Sequence, residues 1–174
     1  MEVITEFIAV YNDYLSAKMN NFSDVELIEP KENRTGINRD INSVQYFLTA
    51  FKFPSMYQYS GFCFVGNGQA QLPDGFIHFA THIDYNLLYV YSLDDGKVYL
   101  WDEGYGRIEW CCAESIEIFF RSMIAVMKTK IEMIRSGNFD LPQSYLKSVF
   151  KYCLDLNENK DQYIEFYDHI LGIE

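Results

Sequence analysis

The chain has 174 residues, 49% hydrophobic and 17% aromatic, with 14 Lys and Arg against 25 Asp and Glu for a formal charge of −11. The apolar content suffices for one core and argues against disorder. The charge repels phosphate backbones and anionic lipid, so direct nucleic-acid binding is not expected, whereas a cationic partner would be steered inward.

Met1-Glu2-Val3-Ile4-Thr5-Glu6 places no basic stretch ahead of an apolar run, so no secretory leader is expected. No apolar run approaches the ~20 residues that cross a bilayer. A cytoplasmic protein with no membrane partner is the expectation.

Residues 3–18 carry Val3, Ile4, Phe7, Ile8, Val10, Tyr11, Tyr14 and Leu15 at helical spacing, predicting a helix with one apolar stripe. Residues 20–36 are polar and broken by Pro30 and Gly36. Asp40 then caps a predicted short helix with Ile41, Val44, Tyr46, Phe47 and Phe51, ended by Pro54. From residue 57 the period changes to two. Residues 61–66 and 75–80 read as strands, and 86–93 and 97–101 flank Asp94-Asp95-Gly96, a strong hairpin signal because Gly readily adopts positive φ. Residues 107–111 add a further strand after Gly104-Tyr105-Gly106.

Ser115 is placed to cap a long helix striped by Ile116, Phe119, Phe120, Met123, Met127, Ile131 and Ile134, with Gly137 as its left-handed stop. Helical spacing returns after Pro142, with Tyr145, Leu146, Val149, Phe150, Cys153 and Leu154, and again after Asp161, with Ile164, Tyr167 and Ile170. The predicted fold class is α+β: an antiparallel or mixed sheet of about five strands within residues 57–111, flanked by N-terminal and C-terminal helices. One domain over 1–174 is expected, with 138–174 a candidate helical extension.

No motif specifies catalysis. His78, His82 and Asp84 have ligand chemistry, but on an extended strand the two imidazoles share a face about 13 Å apart, too far for one metal. Asp94-Asp95 and Asp102-Glu103 sit in turns, where carboxylates commonly cap the backbone. Cys63, Cys111, Cys112 and Cys153 have no C-x-x-C spacing and read as core thiols. Neither a G-x-S-x-G elbow nor a phosphate loop is present. Catalytic, cofactor and metal residues are therefore expected to be absent. The aromatic set Tyr85, Tyr89, Tyr91, Tyr99, Trp101, Tyr105 and Trp110 remains. Tyr89 and Tyr91 share one face of a strand, as do Tyr99 and Trp101, so one of these stripes is a candidate binding surface.

The run Gly75-Phe76-Ile77-His78-Phe79-Ala80, then Leu87-Leu88-Tyr89-Val90-Tyr91, then Asp94-Asp95-Gly96-Lys97-Val98-Tyr99-Leu100-Trp101-Asp102 resembles the SUKH superfamily, which includes bacterial toxin-immunity proteins. Ala113-Glu114-Ser115-Ile116-Glu117-Ile118-Phe119-Phe120 continues the likeness, which covers about residues 40–125. The Leu-Pro and Gly-Gly segments of many members have no clear counterpart, Phe53-Pro54 being a poor stand-in. The resemblance implies an α+β fold and an immunity protein that binds and blocks a cognate secreted or contact-delivered toxin, often a nuclease. Such a toxin is expected to be basic. Asp84, Tyr85, Asp102, Glu103 and Tyr105, all in predicted turns, are the expected contact residues. A regulatory or scaffold interaction domain and an unrecognised hydrolase stand as alternatives.

Overall fold

In the computed structural model, which describes residues 2–18, 26–31, 43–53, 63–64, 72–82, 87–138, 141–158 and 160–173, the first apolar stripe forms helix α1 (Glu2–Lys18). Ile4, Phe7, Ile8, Tyr11, Tyr14 and Leu15 are buried along it. Helix α2 (Ser43–Ala50) is shorter than its apolar residues suggest. Phe51 belongs instead to a two-residue strand, β2 (Phe51–Lys52), which pairs antiparallel with β1 (Glu29–Pro30) inside the stretch read as an irregular loop. Asn12 fixes that excursion, its side chain both accepting from the Ile28 amide and donating to the Ile28 carbonyl at 3.0 Å. Asp40 and Pro54 lie outside the described residues.

The fold is α+β. Its main sheet is an antiparallel meander in the order β3-β4-β5-β6-β7, comprising Cys63–Phe64, Phe76–His82, Leu87–Ser92, Val98–Asp102 and Arg107–Ala113. The β5–β6 hairpin closes over Asp94-Asp95-Gly96, with Gly96 at φ 74°. Its amide donates to the Ser92 carbonyl at 3.1 Å. Between His78 and Ala80 the β4–β5 register slips, and two further irregularities interrupt β6–β7. Such bulges bend a strand and re-aim its side chains.

Helix α3 (Ile116–Ser136) begins and ends where its residues indicate. Ser115 Oγ accepts the Ile118 amide, and Gly137, at φ 64°, closes the last turn onto the Ile134 carbonyl. Phe119 and Phe120 are fully buried, Phe120 lying 4.6 Å from Phe7 and 5.3 Å from Phe47 between ring centroids. Helix α4 (Gln143–Asp155), a 3-10 turn (Lys160–Tyr163) and helix α5 (Ile164–Leu171) follow. Their Cys153, Tyr163, Phe166, Tyr167, Ile170 and Leu171 join the same core cluster as α1, α2, α3 and the sheet. Tyr145, read as part of the apolar stripe of α4, is exposed. Side-chain bonds tie this region to the end of the sheet: Tyr167 donates to the Cys112 carbonyl at 2.9 Å, Asn157 accepts the Glu114 amide at 2.9 Å, and Gln162 donates to the Glu114 carboxylate at 3.2 Å.

Candidate partner-binding surface

Side chains directly opposite in an antiparallel ladder share a face. Val90 lies opposite His78 on one side and Tyr99 on the other, and Leu88 lies opposite Thr81 and Trp101. Trp101 is in turn opposite Ile108. The inner face carries Tyr89, Val98 and Leu100, all buried in the core cluster. Tyr89 packs 5.5 Å from Phe119 and 6.3 Å from Phe166. Leu88 and Val90, on the outer face, are buried but stand outside that cluster. The Tyr89/Tyr91 stripe thus packs toward the helices, and Tyr99/Trp101 is the stripe turned away from them. Phe76 completes a cluster there, 6.3 Å from Tyr99 and 5.9 Å from Trp101, and all three rings are half-buried.

Asp102, Glu103 and Tyr105 come together in the turn that joins β6 to β7. Asp102 shapes this turn: its Oδ1 accepts the Tyr105 amide at 3.0 Å, and its carbonyl accepts the Gly106 amide at 2.8 Å. Gly106 takes φ 61°, a left-handed conformation that a side chain would strain. The turn therefore displays its other members. Tyr105 is 79% exposed, Glu103 is exposed, and Ile108 is 42% exposed at the start of β7. The Arg107 guanidinium stacks 5.3 Å from the Tyr105 ring centroid and bonds Glu109 at 3.1 Å. Asp84 and Tyr85 lie outside the described residues.

The Asp94-Asp95 pair behaves differently. Asp95 accepts the Lys97 amide at 3.1 Å and the Tyr99 hydroxyl at 2.5 Å. Desolvation raises its carboxyl, but the bonds from Tyr99, Lys97 and Ser92 and the charge of Lys97 outweigh this, and the net shift is downward. Burial and the same bond push the Tyr99 hydroxyl up. A tyrosine of the outer face is thus fixed by the hairpin turn beneath it.

The histidines correct an expectation of shared facing. The slip between His78 and Ala80 reverses the alternation, so His78 stands beside Val90 on the outer face while His82 stands opposite Leu87 on the inner one. The His82 ring lies 6.1 Å from Tyr89 and 5.8 Å from His169. His78 Nε2 sits 2.9 Å from the Ala80 carbonyl and 3.1 Å from Thr81 Oγ1. Burial lowers its pKa, against the opposing Ala80 bond and Glu103 charge. Among the described residues no group of three His, Cys, Asp or Glu side chains is arranged to hold a metal ion. Burial pushes the Cys111 thiol up to about 11 and Cys153 to about 12, holding both protonated and unreactive at neutral pH.

No family model, curated protein or solved structure matches the chain. No helix is long and apolar enough to cross a membrane among the described residues. Three members of the surface, Phe76, Arg107 and Ile108, carry no signal in the sequence that marks them as contact residues. Phe76 opens a strand and Ile108 sits in one, so period two places each on a face without saying which face is turned away from the helices. Arg107 follows the turn glycine, a position with no distinctive signal until Tyr105 is seen beneath its guanidinium.

Proposed function

We propose that the chain is an immunity-type binding protein that neutralises a cognate secreted or contact-delivered toxin, a basic one, by direct contact through the outer face and the 102–107 turn. The observation that carries this reading is the exposed Tyr105–Ile108 corner beside the half-buried Phe76, Tyr99 and Trp101 rings. Tyr and Trp at a protein surface supply large contact area with a polar end and are the residues over-represented among binding hot spots. The acidic turns at either end of these strands, Asp94-Asp95 and Asp102-Glu103, suit a cationic partner, and the net charge of −11 speeds its approach. The likeness to the SUKH superfamily supplies the kind of partner: a toxin, often a nuclease, whose nucleic-acid-binding surface is basic. Capping that surface would block its substrate without any catalytic group on this chain.

The test is capture of candidate basic toxin domains by the purified protein at low and high salt, with toxin activity followed in parallel. The reading expects one tight one-to-one complex, weakened by salt and abolishing activity. Glu103→Lys is the informative charge reversal, because Asp102 holds the turn and its loss would confound folding with binding. Several weak partners would favour a scaffold role, and no capture at any salt would sink the proposal.

A further inference from the structure

Four rings run in a row between the sheet and the last helix. Successive centroids lie 6.1 Å apart from Tyr89 to His82, 5.8 Å from His82 to His169 and 4.7 Å from His169 to Trp110. Tyr89, His82 and Trp110 belong to β5, β4 and β7, and His169 to the last turn of α5. His82 is 5% exposed and His169 is half-buried, so the row forms part of the seam that holds α5 against the inner face of the sheet. The same seam contains the Tyr167–Cys112 hydrogen bond and Phe166, whose ring lies 6.3 Å from Tyr89. Two imidazoles this close, one of them buried, do not take up protons independently.

The surroundings favour the first proton on His169. It stands at the C-terminal end of α5, where a cation offsets the helix dipole, and one turn after the exposed Glu165. Its ring is also within cation–π distance of Trp110. A charge there lies 5.8 Å from the ring of His82, where burial adds to the cost of a second charge. The other titratable groups on the packed elements are Tyr89 of β5, buried and neutral, Asp168 beside His169 on α5, and Glu109 of β7, paired with Arg107 at 3.1 Å. We propose that His82 and His169 form a pH-operated latch on α5: the helix stays docked with one proton on the pair and is released from the sheet by the second. Freed from each other, both rings protonate near about pH 6.5. The undocked state therefore binds more protons in acid, and docking weakens as the pH falls through that value.

The experiment follows imidazole NMR signals and amide hydrogen exchange of the full chain between about pH 8 and about pH 5, with ring signals assigned through their bonds to the backbone. In the wild-type chain the His82 and His169 rings are expected to titrate in two steps at least about one pH unit apart. His169→Gln is expected to move the His82 midpoint upward by about one pH unit. Protection of the α5 amides, taken relative to those of α3, is expected to fall about tenfold from about pH 7 to about pH 5 in the wild type. It is expected to stay level in His82→Gln, which leaves a single imidazole at the seam. The wild-type curves decide the matter by themselves if a variant fails to fold. Independent titration of the two rings, a His82 midpoint unmoved in folded His169→Gln, or α5 protection that falls no faster than that of α3 would each overturn the proposal.

Discussion

The two faces of the sheet are built from the same strands by the same alternation, yet they do different things. On the inner face Tyr89, Val98 and Leu100 are buried among helix side chains, with Phe119 lying 5.5 Å from both Phe79 and Tyr89. On the outer face the aromatic side chains Phe76, Tyr99 and Trp101 remain half-buried, and the strand ends lead to an exposed Tyr105 and Ile108. The difference lies in what the side chains pack against: Tyr89 meets Phe119 and Phe166 of the helices, whereas Phe76, Tyr99 and Trp101 meet one another and lead to the exposed 102–107 turn.

Substitutions on the two faces are expected to separate stability from binding. The largest stability loss belongs to Phe119→Ala, where an emptied core site costs about 3–5 kcal/mol, measured by denaturant unfolding. Tyr105→Ala is expected to leave stability within about 0.5 kcal/mol and to weaken the partner complex by about thirtyfold, the scale of a hot-spot loss near 2 kcal/mol. Equal stability losses at the two positions would erase the contrast between the faces.

A smaller effect is expected at Asp95→Ala, which removes the acceptor for Lys97 and Tyr99 and costs about 1 kcal/mol. Because the folded carboxyl is held below its ordinary value, its contribution is present above about pH 4 and fades as the pH falls through the folded value. The variant's unfolding curve is therefore expected to lose part of its acid dependence in that window. The smallest effect is at His78. Its lowered pKa means that the neutral ring stabilises the fold above about pH 6.5, and that stability is lost as acid drives protonation. His78→Gln is expected to flatten the fall in unfolding temperature between about pH 7 and pH 5, and an unchanged slope would assign that fall to other groups.

Much of the architecture is legible in the residues because local chemistry and tertiary packing agree. Ser115 and Gly137 bound α3 as caps should, and Asp-Gly closes the β5–β6 hairpin because the turn requires positive φ at Gly96. Misreadings arise where tertiary context overrides spacing. Phe51 fits the apolar stripe of α2 but is drawn into pairing with Pro30 by a partner distant in sequence. The relation between His78 and His82 depends on one residue of slip, which period two alone does not reveal. At the candidate surface, Glu103 and Tyr105 emerge in one exposed turn. Asp102 of that same turn is engaged in forming it, a distinction set by the Asp102–Tyr105 hydrogen bond rather than by residue type.

The most direct measurement is the affinity of a captured basic partner for the wild-type chain and for Tyr105→Ala, with the unfolding temperature of each recorded alongside. The account predicts a loss of about thirtyfold in affinity with the unfolding temperature essentially unchanged. Unchanged affinity in a folded Tyr105→Ala variant would contradict it and move the contact elsewhere on the molecule.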